Sequence, residues 1–232
     1  MRLHRFYISP KDTELDHEVW INSPELRNQW VKVLRYREGD EVVLFDGVSI
    51  ERLYKITKIE PDAVKLEMVT DFERKLPHKH VYLFWSLLKK DKNDWVIQKC
   101  TELGVSNFVP LLADRSEKTG FSVERADKIA IEAAEQCGRS DIPHIREPLT
   151  VAEALGEYKD KVTLLICDET VSSNLEPITS KTPLGVFVGP EGGWTEAELK
   201  LFQESNLGSL HLGHLTLRAE TATVVAVTKL IQ

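Results

Sequence analysis

Residues 188–199 read VGPEGGWTEAEL, a strand-like run that meets three glycines and a proline and then opens a helix. Turns of this kind bring backbone N–H groups close to a ligand, most often a phosphate. The details here point elsewhere. A P-loop requires GxxxxGK[ST], and no Lys-Ser or Lys-Thr follows these glycines. A dinucleotide fingerprint requires GxGxxG early in its βαβ unit with an acid about 20 residues further on. The spacing here is GxxGG, late in the chain. Glu191, in the middle of the turn, would also meet an anion with like charge. A carboxylate beside close-packed backbone suits a ligand with hydroxyls, amines or a positive centre, and a nucleoside carrying a cationic sulfonium meets that description. Two plainer readings stand beside it. Gly189, Gly192 and Gly193 permit a tight βα turn and nothing more, or Glu191 bonds nearby backbone N–H groups and holds the loop.

A second constellation is HLGHLTLRAETATVVAVTKL (211–230). A polar loop containing Arg218, Glu220 and Thr221 precedes a helix rich in Ala, Val and Thr, residues small enough for close packing against another helix or a partner subunit. The plain alternative for Arg218 and Glu220 is a surface ion pair of little energetic weight. His78/His80 and His211/His214 have no cysteine nearby with metal-ligand spacing, so no metal site is expected.

The elements that must position these residues fall into two patterns. Residues 1–75 are strand-rich: LHRFYI (3–8), EVVLFDG (41–47), RLYKITKIE (52–60) and AVKLEMVTDF (63–72) carry β-branched and aromatic residues in partial alternation. SPELRNQWVKVLR supplies one helix, with Ser23 as cap, Pro24 at its first position, and Leu26, Trp30, Val33 and Leu34 on one apolar face. Short strands plus one helix suggest a small β-barrel-like domain. The polar run ERKLPHKH (73–80) reads as a linker. Strand and helix patterns then alternate. Apolar strands are expected at 81–88, 108–113, 162–169, 184–189 and 209–213, and helices at 92–103, after Ser122, after Thr150, after Thr195 and over 219–231. Thr150-Val-Ala-Glu153 and Thr195-Glu-Ala-Glu198 are capping boxes. This alternation argues an α/β domain with a mainly parallel sheet.

The chain has 232 residues and a formal net charge of −7, so any nucleic-acid contact must come from local basic patches. Cys100, Cys137 and Cys167 are far apart and odd in number, which argues against a disulfide framework. No apolar signal region opens the sequence and no run of about 18 apolar residues occurs, so a cytoplasmic protein is expected. Arg2, His4 and Arg5 form one cationic cluster, Arg35 and Arg37 another, and Lys89, Lys90, Lys92 and Lys99 a third, with Arg139 after a helix end. Each could equally be a solvated charged face. Trp95 lies one helical turn from Lys99, placed either for base stacking or for the core.

Four blocks in order, DKNDWVIQKCTELGV (91–105), EAAEQCGRSDIP (132–143), VGPEGGWTEAEL (188–199) and LGHLTLRAETA (212–222), resemble the RsmE family of ribosomal RNA (uracil-N3-)methyltransferases in the SPOUT superfamily. LHRFYI and WVKVLRYREGDEVVLFDG (30–47) are similar to that family's N-terminal domain, so the likeness spans nearly the whole chain. The resemblance implies a PUA-like β-barrel RNA-binding domain over 1–74 and a methyltransferase domain over 75–232. The latter would be an α/β fold tied in a trefoil knot, against the general rule of unknotted chains. It implies S-adenosylmethionine as cofactor, held by the loop from Asp168, by Gly189, Pro190, Glu191 and Gly192, and by Leu212, Gly213, Leu217 and Thr221. It implies a homodimer that methylates N3 of one uridine in the decoding region, on small-subunit rRNA or the assembled subunit. Arg218 is the candidate to stabilise negative charge on the uracil, and Glu220 to orient Arg218 or take the proton. RNA contacts are expected from Arg2, Arg5, Arg35, Lys89, Lys92, Lys99 and Arg139. His214, Leu215, Thr216 and Ala219 depart from the family's usual block, so contacts from these positions are not carried over. A non-catalytic RNA-binding or ribosome-assembly factor on the same fold is the competing reading, and the intact pocket blocks argue against it. A nucleotide-dependent oxidoreductase fails on the missing fingerprint.

Overall fold

The computed structural model describes residues 3–117, 120–167 and 183–232. Two compact units emerge: Met1–Leu76 with Ala134–Ile142, and Pro77–Ala133 with Pro143–Gln232.

The first unit is a five-stranded sheet built from β1 (Arg5–Tyr7), β2 (Glu18–Ile21), β3 (Glu41–Phe45), β4 (Glu51–Ile59) and β5 (Val64–Asp71), in the order β1-β3-β4-β5-β2. β1 runs parallel to β3 and the other pairs are antiparallel. Register shifts between β4 and β5 at Leu53/Tyr54 and Ile56/Lys58 curl the sheet around its core. Phe6, Trp30, Leu44, Tyr54, Ile56 and Leu66 fill that core. α1 (Pro24–Asn28) starts as its sequence dictates: the Ser23 hydroxyl accepts from the Leu26 N–H at 3.3 Å, and Pro24 opens the helix. The helix then widens over Gln29–Val33, where the Leu34 N–H reaches back five residues to the Gln29 carbonyl at 2.8 Å. That extra residue per turn breaks the apolar face expected from the sequence. Trp30 is fully buried, whereas Val33 is 66% exposed. β2, four residues long, is too short to stand out in the sequence, yet it has the period of a strand, with Val19 and Ile21 inward and Trp20 outward. Residues 134–142 join this unit through Ser140. Its hydroxyl donates to the buried Glu51 carboxylate and accepts from the Lys75 N–H at 2.7 Å.

The second unit is a six-stranded parallel sheet. Its strands are β6 (Val81–Ser86), β7 (Asn107–Leu111), β8 (His144–Ile145), β9 (Thr163–Cys167), β10 (Leu184–Val188) and β11 (Gly208–Leu210), in the order β11-β9-β10-β6-β7-β8. β8 is too short to announce itself in the sequence. The helices are α2 (Lys90–Leu103), α3 (Val123–Cys137, whose last turn belongs to the first unit), α4 (Val151–Tyr158), α5 (Glu196–Glu204) and α6 (Ala219–Ile231). Gly104 closes α2 with φ 103°, as a left-handed C-terminal glycine should. Both capping boxes form, at Thr150/Glu153 and Thr195/Glu198. The chain leaves β6 for β7 on one side, while β10 and β9 lie on the other. The carboxyl ends of β6 and β10 therefore flank a topological switch, the place where parallel sheets bind ligands. Among the described residues no helix is long and apolar enough to cross a membrane, and no group of three or more His, Cys, Asp or Glu is placed to hold a metal.

Candidate active site

The two glycine-bearing loops of the second unit meet. β10 delivers Val188 to the turn, and β11 delivers the chain to the loop before α6. Between them lies a cavity of about 430 Å³. Gly189, Pro190, Glu191, Gly192, Gly193 and Trp194 line one side, and Leu212, Gly213, Leu215, Thr216 and Leu217 the other. Cys167 at the end of β9, Leu199 of α5, and Ala219 and Ala222 of α6 complete the wall. Burial pushes the Cys167 thiol up to about 12, so it faces the cavity as a neutral, weakly polar group.

The glycines are needed from behind as much as from the cavity. The Gly193 N–H bonds the Pro190 carbonyl at 2.9 Å, and Gly193 has φ 67°. A side chain on Gly189 would sit 3.0 Å from the Trp194 indole, and one on Gly192 would sit 3.3 Å from the Arg115 stem. The Arg115 guanidinium donates to the Gly192 carbonyl at 2.8 Å. The helix after the turn is fixed by Glu198, only 5% exposed. It accepts from the Thr195 N–H at 2.8 Å and the Asp114 N–H at 2.9 Å.

Glu191 does not hold its own turn. Its carboxylate crosses to the Lys92 ammonium of α2, which also lies 3.4 Å from Glu220 of α6. Lys92 thus bridges a carboxylate of the glycine turn and one from the first turn of α6. Hydrogen bonding to Lys92 holds the Glu191 carboxyl below its ordinary range, with Arg218 among the smaller contributors, and the same bond raises Lys92. Among the described residues the buried Trp194 indole N–H has no hydrogen-bond acceptor, and the partner of the buried Glu220 oxygen is the Lys92 ammonium at 3.4 Å. α2 is pinned by Asn93. Its side-chain carbonyl accepts from the Trp85 indole at 3.1 Å and the Leu88 N–H at 3.0 Å, and its amide donates to the Leu88 carbonyl at 2.7 Å.

Models of known families match both parts of the chain. An RNA methyltransferase domain covers residues 74–231, and an RNA methyltransferase PUA domain covers 31–69. The ribosomal RNA small subunit methyltransferase E of Bacillus subtilis is 34% identical over 215 residues, 85% of this chain and 84% of the relative. This chain belongs to the small-subunit rRNA methyltransferase E family. The Rickettsia conorii member is 28% identical over 99% of this chain and 95% of its own length. The crystal structure of the Neisseria gonorrhoeae member, bound to S-adenosyl methionine, superposes with a TM-score of 0.88 at 26% identity over 99% of this chain and 97% of that one.

Within this methyltransferase family chain, the expected pocket residues Gly189, Pro190, Glu191, Gly192, Leu212, Gly213 and Leu217 come together around one cavity. Thr221 is exposed on the first turn of α6 and does not line it, and Asp168 lies outside the described residues. Arg218, exposed, precedes α6, and Glu220 sits beside Lys92. Trp194, Leu199 and Ala222 were not singled out from sequence. Trp194 stands inside the quoted turn, and its aromatic type was the available signal. Leu215, Thr216 and Ala219, set aside as departures, also line the cavity. The expected RNA cations divide. Lys89 is exposed and makes no ion pair among the described residues, and Lys92 is committed to two carboxylates. Lys99 pairs with Glu102 at 2.9 Å. In the first unit Arg35 is exposed with φ 58°. Arg5 pairs with buried Glu51, and Arg139, 6% exposed, pairs with Asp141 at 2.7 Å. Arg2 lies outside the described residues. Trp95 is 40% exposed, which removes it from the core.

Proposed function

We propose that this protein transfers the methyl group of S-adenosylmethionine to N3 of one uridine in small-subunit ribosomal RNA, as a cytoplasmic homodimer. The observation that carries the reading is the single cavity made by the 188–194 turn and the 212–217 loop, with the Lys92–Glu191–Glu220 cluster at its side. The residues suit such a cofactor. The apolar walls of Leu199, Leu212 and Leu217 offer a surface to a purine, the turn offers backbone groups, and the Trp194 N–H has no acceptor among the described residues. Asp168 belongs to the same proposed set, and Thr221, exposed and outside the cavity wall, is dropped from it.

Bound there, S-adenosylmethionine supplies an electrophilic methyl on a sulfonium. The chain's own groups do the rest. Loss of the N3 proton spreads negative charge over N3, O2 and O4, and the N3 electron pair would then form the new N–C bond as the methyl–sulfur bond breaks and S-adenosylhomocysteine, a neutral thioether at sulfur, leaves. The Arg218 guanidinium, next to the mouth, stabilises that charge. Glu220, whose carboxylate lies 3.4 Å from Lys92, orients Arg218 through the shared charge cluster or receives the proton. The walls hold donor and acceptor in line, which lowers the barrier by removing orientational freedom.

The curled sheet of the first unit is proposed as an RNA-binding surface with Arg2 and exposed Arg35 as contacts, and exposed Lys89 of the second unit as a separate contact; Arg5, Arg139, Lys92 and Lys99 are held by carboxylates and are not carried forward. The PUA-domain match and the basic residues support it. The return of β11 to the free side of β9 is compatible with a trefoil knot around the cofactor loops. Exposed Trp95 and Leu215 supply apolar surface for a second subunit. Isothermal calorimetry with S-adenosylmethionine and methyl incorporation into unmethylated small subunits test the reading together. Absence of both sinks it, whereas RNA binding without either favours an assembly factor.

A further inference from the structure

We propose that a second recess, behind the cofactor turn, receives a phosphate of the substrate RNA, and that Arg115 transmits its occupancy to the turn. The proposal rests on the methyltransferase reading above and adds a residue and a subsite to it.

The recess holds about 190 Å³ and is lined by Lys89, Arg115, Ser116, Glu117, Pro190 and Glu191, over a floor of leucines. It lies beyond the carboxyl ends of β6, β7 and β10, on the ligand-binding edge of the sheet. Pro190 and Glu191 line both this recess and the cofactor cavity, so one turn separates the two.

Two cations of the recess keep donors for an anion. Lys89 is exposed and unpaired among the described residues. Glu191 is already paired with Lys92. Within the lining Lys89 and Arg115 balance Glu117 and Glu191, and Lys92, shared between Glu191 and Glu220, offsets part of the Glu191 charge. Arg115 has five N–H donors. One of its terminal nitrogens serves the Gly192 carbonyl at 2.8 Å and reaches the Trp194 carbonyl at 3.5 Å. The donors on its other two nitrogens have no acceptor among the described residues, and a phosphate oxygen fits that planar fork.

The same side chain props the turn. Its stem occupies the space beside Gly192, 3.3 Å from where a Cβ would stand. The segment around it is tied to α5, because Asp114 accepts from the Thr195 hydroxyl at 2.9 Å and donates its N–H to Glu198. A phosphate that engages the free edge of Arg115 fixes the rotamer that holds the Gly192 carbonyl. RNA binding then favours the cofactor-competent turn, and by linkage the cofactor favours RNA to the same degree.

The test uses the full-length protein, S-adenosylhomocysteine as a non-reacting cofactor, and unmethylated small ribosomal subunits. In the wild type, subunits should tighten S-adenosylhomocysteine about fivefold or more. Lys89→Ala should lower the slope of log affinity for subunits against log salt by about 0.7 to 0.9, the loss of one phosphate contact. Arg115→Lys keeps the charge but not the fork, so it should keep the salt slope while the coupling factor falls to about one. Arg115→Ala should lose both. Unchanged slope in Lys89→Ala and Arg115→Ala, or unchanged coupling in Arg115→Lys, overturns the proposal while wild-type methylation stands. So does equal competition by millimolar inorganic phosphate, which would mark a small-anion site. A wild type that binds no S-adenosylhomocysteine overturns the methyltransferase reading and this proposal with it.

Discussion

At the scale of single residues, the glycine turn is shaped by what stands behind it. Gly189 faces the Trp194 indole, and a methyl group there would meet the ring at 3.0 Å. Gly189→Ala should push the ring into the cavity, weaken S-adenosylmethionine by about tenfold or more, and cost about 1–3 kcal/mol of stability from overpacking. Calorimetry and chemical denaturation read the two effects separately. Arg218 does not line the cavity. Arg218→Ala should therefore lower kcat by roughly 100-fold, as loss of a charge-stabilising donor does elsewhere, and leave cofactor affinity within about threefold. An unchanged single-turnover rate on small subunits removes Arg218 from the mechanism. The question raised by Glu191 has a geometric answer: its carboxylate meets Lys92 from another element. No local pattern in VGPEGGWTEAEL could reveal that partner, because the two residues are 99 positions apart in sequence.

At the scale of elements, the site depends on buried polar anchors outside the motifs. Asn93 satisfies the Trp85 indole and both backbone groups of Leu88, and so fixes the start of α2 and with it Lys89 and Lys92. Asn93→Leu should destabilise by roughly 3 kcal/mol or more, since each stranded buried group costs about 1–3 kcal/mol. A shift in denaturant midpoint measures it. What was legible in the sequence followed from local physics. The capping boxes at Thr150 and Thr195, the glycine end of α2 at Gly104 and the apolar strands β6, β9 and β10 carry their own signals. What was not legible depended on distant partners or on too few residues. β2 and β8 are short, and their pairing is set by β5 and β7. Val33 faces outward because the helix widens at Gln29–Val33. Arg139 looked like a free cation after a helix end, yet Asp141, only two residues on, pairs with it. The turn and loop residues that line the cavity were expected from the family resemblance of their two blocks, whereas Leu199 and Ala222 reach the cavity only through the packing of α5 and α6.

At the scale of the whole molecule, a chain of net charge −7 has to collect RNA through local fields. The exposed aromatic and apolar side chains Trp95 and Leu215 lie on the same unit as the cavity. If they meet a second subunit, as proposed, sedimentation should give a dimer of twice 26.5 kDa. Leu215→Asp should shift it toward monomer, whereas a monomeric wild type would contradict the assembly. The central claim is that the two loops form a methyl-donor pocket serving a uridine nitrogen. It is tested most directly by incubating the protein with labelled S-adenosylmethionine and unmethylated small ribosomal subunits, then mapping the product by mass spectrometry. The account predicts close to one methyl per subunit, on N3 of a single uridine of the small-subunit rRNA. No incorporation, or a methyl on any other atom or base, would contradict it.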